Sequence, residues 1–378
     1  MARFVLLLAA VGLMAIAACD STAVFSNSTP SPSNSAESPA ADLRAHMNLL
    51  FGEHVFVVAK LSAAAAAGRK DEYHSYAGLL ALNGADLVDL ITRSMGSSTG
   101  QQFSMTWNEG NDATVAYVVA SSTHNQAATQ AAAAKLTIYG ADLAGFLKSS
   151  VQLSADADRS AATAVSDIES VMDDRASGSF TSLYQDLHAA YMHAVQLGDQ
   201  IGIAIAHRFA DRIPGDATQK AVDQRTGLDS LFQEYAYLMT MTSEAVLTGA
   251  TAEQQPARTA AGLVIDLLAH QLGTSVDSTA KIRTAWLTQE IAVLDYASAH
   301  SAGERESLRA VLLGPSALQL AGFMSLPANN VSEQVAAAVK VVDDQRDKAL
   351  AQVAIDDRAA ALYLASFGDV ITGVTAFQ

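Results

Sequence analysis

The chain has 378 residues, of which 50% are hydrophobic and 16% are charged, and a length of this order suggests two or three domains. Its formal charge of −16 argues against nucleic acid and anionic lipid headgroups as main partners, because both need a basic patch. A single cysteine, Cys19, excludes an intrachain disulfide.

The N-terminal segment is typical of an exported protein. Arg3 precedes the apolar run Phe4 to Ala18, which is shorter than the ~20 residues of a transmembrane helix and fits a signal peptide. The run ends in Ile16-Ala17-Ala18-Cys19, which resembles the bacterial lipobox. That resemblance implies cleavage before Cys19 and lipidation of its sulfur. An ordinary secretory signal with an incidental cysteine is the alternative.

The resulting prediction is a signal peptide over residues 1–18 and a protein anchored by lipid to the extracytoplasmic face of the cell membrane. Residues 19–41 then form a linker that begins at the lipidated cysteine and is rich in Ser, Pro, Asn and Ala. Such a composition buries too little apolar surface to offset the entropy of ordering, so we expect this linker to be flexible.

From Asp42 onward the spacing of the apolar residues is helical. Leu43, Met47, Leu50 and His54 step by three or four residues and form one stripe. Strand signals are nearly absent, so we predict an all-α fold. Breaks rich in Gly and Ser place the first six helices near 42–67, 70–95, 100–121, 125–148, 157–176 and 180–210.

The helical pattern repeats after a break at Ile213-Pro214-Gly215. Matching residues occur in the same order in both halves, at an offset that falls from 181 to 170: Leu50 and Leu231, Trp107 and Trp286, Tyr117 and Tyr296, Gly198 and Gly368. We therefore predict an internal duplication over 42–212 and 217–378. Each copy is expected to form an antiparallel up-and-down bundle of five or six helices.

Standard catalytic motifs are missing, and no nucleophile–base pair stands out, so we do not expect an enzyme. His54 is the most suggestive residue, because it lies on the core stripe beside Glu53. A buried imidazole needs a partner for its ring N–H, and the sequence leaves two interpretations open. His54 is either a hydrogen-bonded core histidine or a ligand at the centre of the first bundle. His193 lies on a similar stripe of small and apolar residues.

A further pattern in the first copy consists of Glu53-His54, Asn83, Asp86-Leu87, Trp107, Tyr117, and His193 ahead of Gly198-Asp199. This pattern resembles a helical domain of exported, mostly uncharacterised bacterial proteins, some of which are labelled copper amine oxidase. Two histidine positions of that domain are occupied here by Gly110 and by Asp167-Ile168. The chain also lacks the Asn-Tyr and His-x-His motifs of amine oxidases, so that activity is not implied.

The resemblance implies that helices of the first bundle each contribute a histidine at the same level along the bundle axis. This chain keeps His54 and His193, with Glu53 and Asp167 as carboxylates, and such a set is sufficient for a divalent transition metal. We expect a non-catalytic, membrane-anchored scaffold or partner-binding protein, with envelope proteins as candidate partners. A metal-binding or small-ligand-binding protein with its site inside the first bundle is the alternative.

Overall fold

The computed structural model describes residues 36–153 and 157–374. The predicted signal peptide, Cys19 and the linker up to residue 35 lie outside the described residues. Within the described ranges the fold is entirely helical and contains no strand, which confirms the all-α prediction.

The first half of the described chain comprises six long helices. They are α1 (Pro39–Ala66), α2 (Lys70–Met95), α3 (Ser97–Ser122), α4 (Gln126–Phe146), α5 (Ala157–Ser177) and α6 (Phe180–Arg208). A π-helical turn, Leu147–Val151, extends α4. We call this part of the chain the first half.

The second half follows a turn-rich connection. Its helices are α7 (Lys220–Leu247), α8 (Thr251–Leu272), α9 (Val276–Ser298), α10 (Ala302–Val311), α11 (Ala317–Met324), α12 (Ala328–Asp347) and α13 (Val353–Ile371). A second π-helical turn, Leu312–Ser316, joins α10 to α11.

Local signals explain where the helices begin and end. The Ser38 side chain accepts a hydrogen bond from the Ala41 N–H, and Pro39 occupies the first turn, where a missing N–H costs nothing. These two residues start α1 earlier than the predicted residue 42. The helix ends just before Gly68, whose φ of +67° suits glycine at a helix C-terminus.

Two central helices organise the packing. Helix α1 packs on α6, α2 and α7, and helix α7 packs on α13, α8 and α1. Both are buried along nearly their whole length. Among the described residues, α1 alone is long and apolar enough to cross a membrane by length and composition, but 72% of that stretch is buried in the fold. The core helix of a soluble protein meets the same criteria of length and composition.

Two buried arginines join the halves at the end where α1 and α7 begin. Arg44 Nε donates to Asp199 of its own half, and its Nη1 donates to Asp223 and to the Ala217 carbonyl. Arg225 is 2% exposed and makes the equivalent set of contacts. These go to Asp369 of its own half, and to Asp42 and the Ala36 carbonyl of the first half.

Close helix contacts accompany these arginines. A Cβ at Gly198 would lie 2.9 Å from the Asn48 Cα, and a Cβ at Gly368 would lie 2.8 Å from the Asp229 nitrogen. Glycine therefore allows α6 to approach α1, and α13 to approach α7, closely enough for the following aspartate to reach its arginine.

A buried polar cluster lies between the halves, nearer the other end of α1 and α7. Lys60 Nζ is 2.6 Å from Asp357 Oδ2, and neither side chain is more than 1% exposed. The Tyr76 and Thr240 hydroxyls both donate to the Asp357 carboxylate. Because a buried ion pair is stable only when its remaining polar atoms are hydrogen-bonded, this cluster constrains how α1, α2, α7 and α13 pack.

Candidate functional site

The structure separates Glu53 from His54, although they are neighbours in the chain. Glu53 Oε2 accepts from Asn83 Nδ2 at 2.9 Å, and Oε1 accepts from the Tyr237 hydroxyl at 3.1 Å. Arg358 Nε lies 3.0 Å from the same Oε1. Burial raises the pKa of Glu53, and Arg358 opposes that effect. Glu53 is therefore part of the contact between the halves.

His54 faces the interior of the first half. Its ring lies against Trp107, with 4.9 Å between the ring centroids and a 60° interplanar angle. Burial lowers the pKa of His54 to about 4, so its imidazole is neutral at pH 7. The Asn83 side chain of α2 hydrogen-bonds the imidazole and opposes this lowering of the pKa.

Trp107 is held by aromatic contacts on several sides. Phe51 and Tyr139 meet it edge to face, and Phe103 stacks on it at 5.3 Å. Its Nε1 is buried beside Gly84 of α2 and has no partner. A buried donor without an acceptor costs about 1–3 kcal/mol.

A cavity of about 40 Å³ lies beside these two rings. It is enclosed by α1, α3, α4, α5 and α6, and its walls are mostly aliphatic or aromatic. The lining residues are Phe51, His54, Val55, Trp107, Thr114, Leu136, Tyr139, Leu143, Ala164, Val165, Ile168, Ala190, Ala194 and Leu197. We treat this cavity as the candidate functional site and call it the His54 cavity.

Gly110 has a packing role at this site. A Cβ at Gly110 would lie 2.5 Å from the Tyr139 ring. The position that the resemblance assigns to a histidine is therefore occupied by the Tyr139 ring, which forms one wall of the cavity. A larger residue at 110 requires this ring to move.

Asp167 and His193 contact each other on the outer side of α5 and α6. His193 Nδ1 lies 2.7 Å from Asp167 Oδ2, and the His193 side chain is 48% exposed. Their chain neighbours Ile168 and Ala194 line the His54 cavity. The pair therefore bridges the two helices that form one wall of the cavity.

The four predicted metal ligands thus divide into three environments. Asp167 pairs with His193, Glu53 pairs with Asn83, Tyr237 and Arg358, and His54 contacts Trp107 and Asn83. Within residues 36–153 and 157–374, no three His, Cys, Asp or Glu side chains are grouped closely enough to hold a metal ion. His188, five positions before His193, binds Glu234 at 2.6 Å instead.

The second half has an equivalent but smaller cavity of about 20 Å³. Tyr235 and Trp286 meet edge to face there at 4.8 Å, as His54 and Trp107 do in the first half. Gln289 occupies the position that corresponds to Gly110, and it accepts a hydrogen bond from the Ser316 hydroxyl. Trp286 Nε1 also has no partner.

Sequence reasoning missed the Trp107 donor and the cavity itself. The only available signal was the pairing of the two tryptophans between the halves, which indicates packing and gives no information on an empty volume. It also missed the buried Lys60–Asp357 pair, since no local pattern marks a lysine whose partner lies in the last helix.

Comparison with known proteins adds no identity. No family model matches the chain, and neither a curated protein nor a solved structure is significantly similar to it. The resemblance of the first half to a domain of exported bacterial proteins therefore stays a prediction.

Proposed function

We propose that the protein is a membrane-anchored extracytoplasmic lipoprotein whose helical body is a non-catalytic scaffold or binds partner proteins. The observation that carries the proposal is the position of Cys19. It is the only cysteine in the chain and directly follows Ile16-Ala17-Ala18 at the end of the apolar run. Two or three acyl chains at one residue give stable anchoring, whereas one chain gives only marginal binding.

The contacts between the halves support a scaffold role. Arg225 and the Lys60–Asp357 pair join the two halves through buried ion pairs, and the buried Arg44 joins them through the half-exposed Asp223. The halves cannot separate without breaking these ion pairs and exposing the apolar surface that α1 and α7 bury between them. The described chain is therefore suited to act as one rigid body.

We also propose that the two halves arose by tandem duplication. The supporting observation is that Arg44 and Arg225 bind partners at corresponding positions of opposite halves. Tyr117 bonded to Asp173 and Tyr296 bonded to Asp343 form a further matching pair. In this interpretation each copy is an up-and-down bundle that packs on the other through α1 and α7.

The lipid anchor is tested by expressing the full chain and Cys19→Ser in a bacterial host. We expect the wild-type N-terminal peptide to begin at Cys19 and to carry the mass of diacylglycerol, and the protein to partition into detergent. Cys19→Ser should lose both properties. A wild-type protein that is secreted without lipid, or cleaved elsewhere, would refute the proposal.

A second candidate function is the binding of a small ligand in the His54 cavity. The space of about 40 Å³ beside the His54 and Trp107 rings favours it, since an apolar cavity can bind a small molecule. The grouping of residues around them does not favour a metal.

A further inference from the structure

Two buried glutamates at corresponding positions of the halves have different partners. Glu53 of α1 and Glu234 of α7 are related by the offset of 181 residues, and both are buried. Each reaches the last helix of the opposite half. Glu53 contacts Arg358 of α13, whereas Glu234 contacts His188 of α6 at 2.6 Å. Arg358 and His188 also correspond, by the offset of 170 residues, so the same contact is made once with an arginine and once with a histidine.

The Glu53 contact contains a permanent positive charge. Arg358 cannot lose its proton in a protein, and its Nη2 also donates to Asp86. Asn83 and the Tyr237 hydroxyl supply two further hydrogen bonds to the Glu53 carboxylate. We call these five residues the arginine contact.

The Glu234 contact depends on a titratable charge. Val264 and Phe56 occupy the positions that correspond to the two further donors, and neither side chain can donate a hydrogen bond. Glu234 Oε2 is buried and has no partner. Among the described residues, His188 is the one group that neutralises Glu234, and its side chain is 26% exposed. We call His188 and Glu234 the histidine contact.

The histidine contact is neutral overall while it holds one proton, whichever of the two side chains carries it. Loss of that proton leaves the Glu234 carboxylate buried without a counter-charge, which is strongly unfavourable. The hydrogen bond with Glu234 accordingly raises the pKa of His188, and burial raises the pKa of Glu234. The unfolded chain releases this proton at pH ~6.5. The contribution of the contact to stability is therefore complete below pH ~6.5 and is lost as the pH rises above it.

Other titratable side chains on the surrounding helices are bound elsewhere. The Tyr191 hydroxyl donates to the Ser230 carbonyl, and burial together with the charge of Glu234 raises its pKa, so it stays protonated. The charged groups of α1, α5, α6, α8 and α13 contact one another: Glu53 with Arg358, Lys60 with Asp357, Arg175 with Glu253, and Asp174 with Asp186. None of them acts on the pKa of His188 or Glu234. The two residues of the histidine contact therefore control its proton.

We propose that the histidine contact is a pH-sensitive switch between the halves, closed while it holds its proton and opening locally when that proton is lost. Opening admits water to Glu234 and separates α6 from α7 and α8 beside Tyr184 and Tyr191, whose hydroxyls donate across the same surface. The arginine contact stays closed, so the halves loosen on one side only. The switch sets the pH range in which the two halves form one rigid body, and it depends on neither the lipid anchor nor the His54 cavity.

Hydroxyl-radical footprinting of the full chain at pH 6 and pH 9 tests the switch, with the oxidised residues read by mass spectrometry. Tyr184 and Tyr191, the α6 tyrosines, are buried beside the histidine contact. Tyr76 and Tyr237, the control tyrosines, are buried beside the arginine contact. We expect oxidation of the α6 tyrosines to rise at least ~3-fold from pH 6 to pH 9, because local opening exposes them. Oxidation of the control tyrosines should stay constant.

Exchanging the residues of the two contacts separates the switch from other effects of pH. His188→Arg supplies a permanent charge to Glu234, and Glu234→Gln removes the charge that needs a partner. Both variants should keep the α6 tyrosines protected at pH 6 and at pH 9. Arg358→His makes the reverse exchange and should transfer the rise to the control tyrosines. Comparison with the wild type at the same pH cancels the titration of Glu244 and any effect of pH on the radical chemistry.

Three results would overturn the inference. Unchanged oxidation of the α6 tyrosines in the wild type would show that the histidine contact stays closed. An equal rise at both pairs of tyrosines would show a general loosening of the fold. A rise that persists in both His188→Arg and Glu234→Gln would assign the opening to another group. If His188→Arg does not fold, Glu234→Gln decides alone, since it keeps the shape of the side chain.

Discussion

The guanidinium groups of Arg44 and Arg225 make matching contacts, and each reaches into the other half of the chain. In both, Nε binds an aspartate of the same half, while Nη1 binds an aspartate and a backbone carbonyl of the opposite half. Each arginine therefore depends on both halves to neutralise and solvate its charge.

Loss of either arginine should destabilise the whole fold. Arg225→Met leaves Asp42 and Asp369, whose side chains are 20% and 15% exposed, without a counter-charge, so we expect a loss of about 3–5 kcal/mol in the free energy of unfolding. Arg44→Met should cost less, about 2–3 kcal/mol, because Asp223 is 56% exposed and water replaces part of the lost interaction. Urea unfolding measures both.

The control for the arginine variants is Arg283→Met. Arg283 binds Asp266 on the surface, with both side chains about half exposed, and should contribute less than ~1 kcal/mol. Equal effects of Arg225→Met and Arg283→Met would contradict the structural role assigned to Arg225.

Glu244 should make stability fall as the pH rises. Burial, with the nearby charge of Glu72, raises its pKa to about 7, although Arg69 opposes this. Between pH ~4.5 and 7 the folded state holds a proton that the unfolded chain has released. The contribution of protonated Glu244 to the free energy of unfolding is thus complete below pH ~4.5 and is lost as the pH rises through about 7.

Glu244→Gln removes this dependence. We expect the difference in unfolding free energy, wild type minus variant, to fall by about 2–3 kcal/mol between pH 5 and pH 8. The exposed Glu306 supplies the control variant Glu306→Gln, for which the difference should stay flat. A flat difference for Glu244→Gln would disprove the shift.

His54 should have the opposite effect at acidic pH. Burial lowers its pKa to about 4, so the unfolded chain takes up a proton first as the pH falls below ~6.5. The contribution of neutral His54 to the free energy of unfolding is complete above pH ~6.5 and is lost as the pH falls through about 4. His54→Phe should remove about 2–3 kcal/mol of this acid sensitivity. His270→Gln, at an exposed site, should not, and NMR titration of the His54 ring gives an independent check.

Gly110 and Gly262 form a matched pair of helical glycines. A Cβ at Gly110 meets the Tyr139 ring, whereas a Cβ at Gly262 meets nothing within 4 Å. Gly110→Ala should therefore lose about 1–3 kcal/mol from overpacking, and Gly262→Ala should gain about 0.5–1 kcal/mol. Adding Tyr139→Leu should restore much of the first loss, and no rescue would mean that Tyr139 is not the obstacle.

Local signals in the sequence predicted the helices well. The predicted helix over 70–95 has the observed bounds Lys70–Met95, because glycine-containing breaks flank it and the apolar stripe between them is continuous. The predicted start of α1 at residue 42 is too late, because the Ser- and Pro-rich composition of the linker does not distinguish the helix cap at Ser38 and Pro39 from its surroundings.

Contacts between distant residues could not be predicted in this way. The core position of His54 followed from its stripe, but its contact with Trp107 depends on how α1 packs against α3. Glu53 was interpreted as a candidate ligand beside His54, whereas its partner Arg358 comes from α13. Such pairs depend on tertiary packing, which no local pattern in a single sequence indicates.

The burial of α1 has a consequence for the order in which the protein can fold. Of the helices that cover α1, α2 follows it at once, but α6 and α7 follow more than a hundred residues later. Lys60, near its end, acquires the neutralising Asp357 only when α13 emerges. Until α6 and α7 have been made, the nascent chain therefore carries this long apolar helix only partly covered, and a chaperone that binds it would prevent aggregation until synthesis is nearly complete.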